Sequence, residues 1–202
     1  MSRPPAEISS ADSHQRLIHA ATESFMAEGY RASIDRIAKR AGLARQTLYN
    51  HFSCKEDLFS EVVNTIVNSI LVSLDGDGVN VRERLVRFAT LLRQRAMSDE
   101  GIAIFRTLVA EVPRFPVLGQ TFFDKGPAQT VQRLADFLAR AMSQGTLRQD
   151  EPLFAAEMLL SMLEGFERTR RLFGAPTLSD DQEQERVAQV VDCFLRAYAP
   201  EQ

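Results

Sequence analysis

Apolar residues recur at three- and four-residue spacings along most of this chain, and most of its few glycines and prolines fall where such a run stops. That is the period of an α-helix with one buried face. No alternating stretch of useful strand length interrupts it, so the pattern predicts an all-α protein. Helices are expected over about Ala11–Glu28, Ser33–Ala41, Arg45–Asn50, Lys55–Leu74, Val81–Met97, Ile102–Val112, Val117–Ser143, Pro152–Phe173 and Asp181–Tyr198. Met1–Ser10, with Pro4-Pro5, reads as a disordered tail. Asp75-Gly-Asp-Gly78 faintly resembles a calcium loop, but Val79 takes the third ligand position, and a solvated turn is expected.

At 202 residues the chain is long enough to bury a sizeable core without staples. Its two cysteines, Cys54 and Cys193, are far apart and indicate neither a disulfide framework nor a zinc site. Met1–Ser10 lacks the apolar core of a signal peptide. The longest apolar stretch, Val62–Leu74, is broken by Asn64, Thr65, Asn68, Ser69 and Ser73, short of the roughly 18 uninterrupted residues of a membrane span. A cytoplasmic, nucleoid-associated protein without a membrane partner is expected.

The net charge of −3 conceals an asymmetry. Between Gly29 and Lys55 stand six basic residues, Arg31, Arg36, Lys39, Arg40, Arg45 and Lys55, against the single acid Asp35. From Glu56 onward 16 basic residues face 22 acidic ones. A compact basic segment on an acidic body fits a DNA-facing head as well as it fits a merely solvated face.

The order of elements inside the basic segment favours the first reading. Ile34, Ile37, Ala38 and Ala41 form one apolar stripe, behind Ser33 as a plausible N-cap. Gly42 permits the left-handed backbone of a helix C-cap. Leu43, Leu48 and Phe52 anchor a second short helix, and Ser53 can cap the longer one that starts at Lys55. Two short helices joined by a tight glycine turn can place the second in a major groove. Left outward are Arg45, Gln46, Thr47, Tyr49, Asn50 and His51, mostly hydrogen-bonding groups. Arginine matches the edge of guanine, and Gln or Asn that of adenine. Tyr49, His51 and Lys55 have polar tips suited to phosphate. Ser33 and Lys55 stand at helix starts, where backbone N–H groups also attract anions.

The run from Ser33 to Phe59 resembles the N-terminal domain of the TetR family of bacterial transcriptional regulators. Ala41-Gly42-Leu43, Thr47-Leu48-Tyr49, His51-Phe52 and Lys55-Glu56-Asp57-Leu58-Phe59 carry the likeness. The resemblance implies an all-α homodimer with a small-ligand-binding regulatory domain. It also implies phosphate contacts from Ser33, Tyr49 and Lys55, with Arg45, Gln46 and Asn50 facing bases. Ala44 departs from the family, which often places Ser there to cap the second helix. Ala110–Leu118, Gly126-Pro127 and Gly145-Thr-Leu147 more weakly resemble its AefR-like or AcrR-like branch.

Catalytic readings find little support. His14 and His19 lie five apart, about 140° around a helix, and no HExxH, GxSxG or phosphate-cradling glycine loop occurs. Neither an enzyme, a metal site nor a cofactor is expected. Phe105, Leu108, Phe122, Phe123, Met158, Met162 and Phe166 could line a ligand cavity, although such stripes are more often plain core. Glu164 and Arg168 read as a surface pair, and Arg168, Arg170 and Arg171 as cations favoured at a helix C-terminus. The stripes Phe154, Met158, Leu159, Met162, Phe166 and Val187, Val190, Val191, Phe194, Leu195 predict a two-fold dimer through a four-helix bundle.

The resulting expectation is a three-helix helix-turn-helix domain over 11–55 followed by a helical ligand-binding and dimerisation domain over 56–202. The function expected is a repressor that binds a palindromic operator as a dimer and is released by a small, mostly apolar effector. A constitutive DNA-binding regulator without an effector is the alternative.

Overall fold

The computed structural model describes residues 9–75 and 80–200, and among them there is no strand. Helix α1 (Ser10–Glu28) ends in a 3-10 turn (Gly29–Arg31), and α2 (Ile34–Arg40) and α3 (Arg45–His51) form the short pair. Helix α4 (Lys55–Leu71) leads through a second 3-10 turn to α5 (Val81–Ala96), α6 (Asp99–Glu111) and α7 (Pro116–Phe123). A π turn (Asp124–Ala128) joins α7 to α8 (Gln129–Ser143), before α9 (Pro152–Leu172) and α10 (Asp180–Ala197). Residues 1–8 of the expected tail and 76–78 of the expected turn lie outside the described residues, whereas Ser9 caps α1 through its side chain.

One apolar core runs through head and body, from Leu17 and Leu48 to Leu85, Leu134, Leu159 and Val191. Burying each such side chain contributes about 1.5–3 kcal/mol. Helix α1 packs on α2 and α4 and also touches α6, so the head is seated directly on the body. By length and composition the segment Lys55–Leu74 could cross a membrane, yet half of its most apolar window is buried inside the protein.

Four local expectations change. Cys54 caps α4 in place of Ser53: its Sγ accepts from the Asp57 N–H at 3.4 Å, while the Ser53 N–H donates to the Asp57 carboxylate at 3.2 Å. The stretch expected as one helix over Val117–Ser143 widens into the π turn around Pro127, whose ring removes a helical donor. Helix α9 is kinked at Gly165 (φ 33°, ψ −137°), which turns the residues after it out of the register of those before. On α10, Val187, Val190, Val191 and Phe194 are buried within the same chain, where α10 packs on α5 and α9.

Candidate nucleic-acid interface

The first short helix is held by its own stripe: Ile37 and Ala38 are buried, and Ala41 follows them into the core. After Arg40 the chain closes with a paired turn, Gly42 N–H to the Lys39 carbonyl at 3.0 Å and Leu43 N–H to the Ala38 carbonyl at 2.9 Å. This motif demands a left-handed residue, and Gly42 has φ 67°. A Cβ there would also lie 2.6 Å from the Arg16 guanidinium, which would have to shift. Arg16 reaches across from α1 to donate to the Ala41 carbonyl at 2.6 Å. The turn angle is thereby tied to α1 as well as to the two helices it joins.

Helix α3 turns Leu48 inward, with Phe52 buried just beyond its end. Arg45, Gln46, Tyr49 and Asn50 are exposed on its other side, and Thr47 and His51 are half-buried. Ser33 occupies the N-cap position of α2 in extended geometry, but its side chain makes no capping bond, which leaves the hydroxyl available. Ala44 precedes α3, also without a side-chain cap. Ser33, Lys55 and the outward residues of α3 all belong to the α2–α4 segment, and several of them already have partners. Arg45 donates to both Asp35 oxygens, at 2.9 and 3.1 Å, and lies over the Tyr49 ring at 5.4 Å. Gln46 donates to Asn50 at 3.1 Å. The His51 ring lies 5.7 Å from that of His14 on α1.

Lys55 opens α4 with its ammonium 4.5 Å from the centre of the Tyr30 ring. Burial there pulls its pKa below the ordinary lysine value. Tyr30 donates its hydroxyl to Glu56 at 2.6 Å, which holds the Glu56 carboxyl below its usual range. Burial first, and Glu56 second, push the phenol upward. Nothing in the local sequence pattern singles out Tyr30, since its partners lie 25 and 26 positions away.

Behind this face is a cavity of about 670 Å³, within the size range of small-molecule sites. Phe25, Tyr30 and Phe59 wall its head end, Val62, Ile66 and Val67 one side, and Ile104, Phe105, Leu108 and Phe122 another. Of the seven pocket residues expected from sequence, Phe105, Leu108 and Phe122 lie on this wall. Phe123, Met158, Met162 and Phe166 do not. Phe123 is 56% exposed, and Phe166, directly after the Gly165 kink, is 77% exposed. Met162 is partly buried against the core.

Glu164 and Arg168 are not the ordinary surface pair expected, since both stand in the cavity wall and bond to each other at 2.8 Å. Burial raises the Glu164 pKa despite Arg168. Arg168 also lies 4.6 Å from the Phe105 ring centre, and its Nε is buried without a partner among the described residues. Arg171, expected as a cation at a helix C-terminus, stands in the last turn of α9 and is also buried and bonded to the Met97 and Ala175 carbonyls and to Asp99.

A helix-turn-helix of this geometry, with a basic, hydrogen-bonding outer helix above an all-α body, defines a DNA-binding transcriptional regulator. Residues 17–62 match the profile described as bacterial regulatory proteins, tetR family, and residues 83–200 match that of the AefR-like transcriptional repressor, C-terminal domain. The chain belongs to the TetR family of bacterial transcriptional regulators, and its members are regulators rather than enzymes. It is 36% identical over 67 residues to the uncharacterized HTH-type transcriptional regulator YhgD of Bacillus subtilis (strain 168), covering 33% of this chain and 35% of YhgD. It is 40% identical over 57 residues to the transcriptional activator FasR of Mycolicibacterium smegmatis, covering 28% of this chain and 26% of FasR. These two matches thus span about a third and a quarter of the relatives' lengths. Among solved structures, a protein of Mesorhizobium loti described as a TetR-family transcriptional regulator superposes with TM-score 0.76 at 29% identity, over 96% of this chain and 100% of that one. The flavonoid-responsive regulator FrrA gives TM-score 0.70 at 30% identity, over 95% and 100%.

Proposed function

We propose that this regulator is a repressor that binds a palindromic operator as a two-fold dimer and is released by a small, mostly apolar molecule. The observation that carries the reading is the 670 Å³ cavity, walled at once by head residues Phe25 and Tyr30 and by body residues of α4, α6 and α9. A ligand in such a place touches both parts and biases their relative placement, and with it the spacing of two heads on successive grooves. The head is assigned to residues 11–55 and the ligand-binding and dimerisation body to 56–202. That boundary falls at the first turn of α4.

In the head, Arg45, Gln46, Thr47 and Asn50 face bases, while Ser33, Tyr49, His51 and Lys55 hold phosphates. In the body, Phe105, Leu108 and Phe122 receive the apolar part of the effector. Arg168, with its unpartnered Nε beside Glu164, takes a hydrogen-bond acceptor on it. FrrA's response to flavonoids supports an aromatic effector of this kind. Repression is favoured because the repressor description covers the body, whereas the match to the activator FasR spans only 57 residues. Leu153, Phe154, Phe166 and Phe173, on and just beyond α9, are exposed large apolar side chains, which supports dimerisation through α9 and α10.

Sedimentation at micromolar concentration should give twice the chain mass. Apolar aromatic compounds, flavonoids among them, should raise the melting temperature and release a selected operator. A stable monomer that binds the operator tightly, or binding indifferent to every compound that raises the melting temperature, would overturn the proposal.

A further inference from the structure

Tyr30 belongs to two places at once. Its ring is part of the cavity wall, stacked on Phe25 with centroids 6.1 Å apart and edge-on to Phe59 at 5.4 Å. The same ring lies 4.5 Å below the Lys55 ammonium, and its hydroxyl holds Glu56, the next residue of α4. The turn that carries Tyr30 is also fastened to α6, another cavity wall. Arg31 donates to Glu111 of α6 at 2.7 and 3.0 Å. Gly29 approaches Thr107 of α6 so closely that a Cβ would lie 2.7 Å from its methyl group.

An ammonium is attracted to the face of an aromatic ring, and the attraction is lost when the face turns away. We infer that Tyr30 is the positioning residue through which the cavity controls the DNA grip: an occupant that displaces its ring removes the support of Lys55, which then no longer meets phosphate. The inference rests on the proposed reading that the cavity holds the effector and that Lys55 grips the DNA backbone. It assigns the control to one side chain, distinct from any rigid movement of the heads.

The test is the salt dependence of binding to a random-sequence duplex, read by anisotropy of labelled DNA, with N-phenyl-1-naphthylamine as an uncharged aromatic probe that brightens in apolar cavities. Lys55→Ala should lower the slope of log affinity against log salt by about 0.9 per chain. Saturating the unmodified protein with the dye should lower it equally, and the dye should lower the slope of Lys55→Ala no further. Tyr30→Phe keeps the ring and should keep both the slope and its response to the dye. Tyr30→Leu should show the Lys55→Ala slope without dye while still melting cooperatively.

An unchanged slope in the dye-bound unmodified protein overturns the inference. So does an unmodified slope in Tyr30→Leu, or a full dye response in Lys55→Ala. The dye arm needs no substitution at Tyr30, so misfolding of Tyr30→Leu does not shield the inference. Two results overturn it by removing its footing and are distinct from these. Absence of dye brightening removes the cavity reading, and an unmodified slope in dye-free Lys55→Ala removes the phosphate grip.

Discussion

Glu183→Gln removes one charge from a buried pair, and its cost follows from what is left behind. Arg93 on α5 is 2% exposed. Its guanidinium donates to the two Glu183 oxygens at 2.7 and 2.8 Å, and its remaining terminal nitrogen donates to the Leu163 carbonyl on α9. One side chain thus ties α5 to α10 and to α9 beside Glu164, close to the kink. Removing one partner of a buried pair costs about 3–5 kcal/mol. Glutamine keeps an acceptor oxygen, and the Glu183 side chain is 26% exposed, so water reaches the gap. Both features bring the expected loss to or below the bottom of that range, at about 2–3 kcal/mol. For a chain of this size the melting temperature should fall by roughly 4–12 °C.

The assay is thermal denaturation followed by circular dichroism at fixed protein concentration, which keeps any dimer contribution constant. The double variant Arg93→Met/Glu183→Leu replaces the pair with apolar groups of similar volume and should recover most of the loss. Its binding to random DNA should be unchanged, since the clamp lies in the body. A fall below roughly 2 °C for Glu183→Gln, or a double variant no more stable than the single one, would refute the reasoning.

Arg45→Ala should weaken binding to a selected operator by about 5- to 150-fold and to scrambled DNA much less. Lys55→Ala should weaken both alike, as titrations over a salt series will show. Asp35→Asn frees Arg45 from its carboxylate and removes the only acid of the basic segment. It should tighten binding to random duplex at low salt, with the gain shrinking as salt rises. Burial holds the Glu164 carboxyl above its ordinary range, so the folded protein keeps that proton more tightly than the unfolded chain does. The stability this gives is full below the ordinary glutamate value and is lost as pH rises through the raised one. Urea midpoints of Glu164→Gln should therefore gain on those of the unmodified protein across that interval and stay ahead above it.

The head was legible because its signals are local. Gly42 marks the turn and Ile34, Ile37 and Ala38 mark the buried face, and the observed helices begin and end within a residue or two of the expected bounds. Periodicity shows which face of a helix is apolar but not which helix covers it. Val187, Val190, Val191 and Phe194 were therefore expected at a dimer surface although α5 and α9 already cover them. Phe166 was placed by counting along an unbroken helix, and the Gly165 kink breaks the count. Arg31–Glu111, Arg93–Glu183 and Tyr30–Glu56 join positions 80, 90 and 26 apart, and each residue alone reads as an ordinary surface group. Glu164 and Arg168 look like any helical pair spaced by four until the cavity is seen beside them.

The most direct test is selection from a library of random duplexes, carried out in parallel with the unmodified protein and with Arg45→Ala. The account predicts that the unmodified protein enriches two inverted half-sites whose centres lie about one helical turn, 10–10.5 base pairs, or a multiple of it apart. Arg45→Ala should lose preference at one position in each half-site and keep it at the others. No enrichment over the starting library, or the same motif at full strength with Arg45→Ala, would contradict the claim that α3 reads DNA.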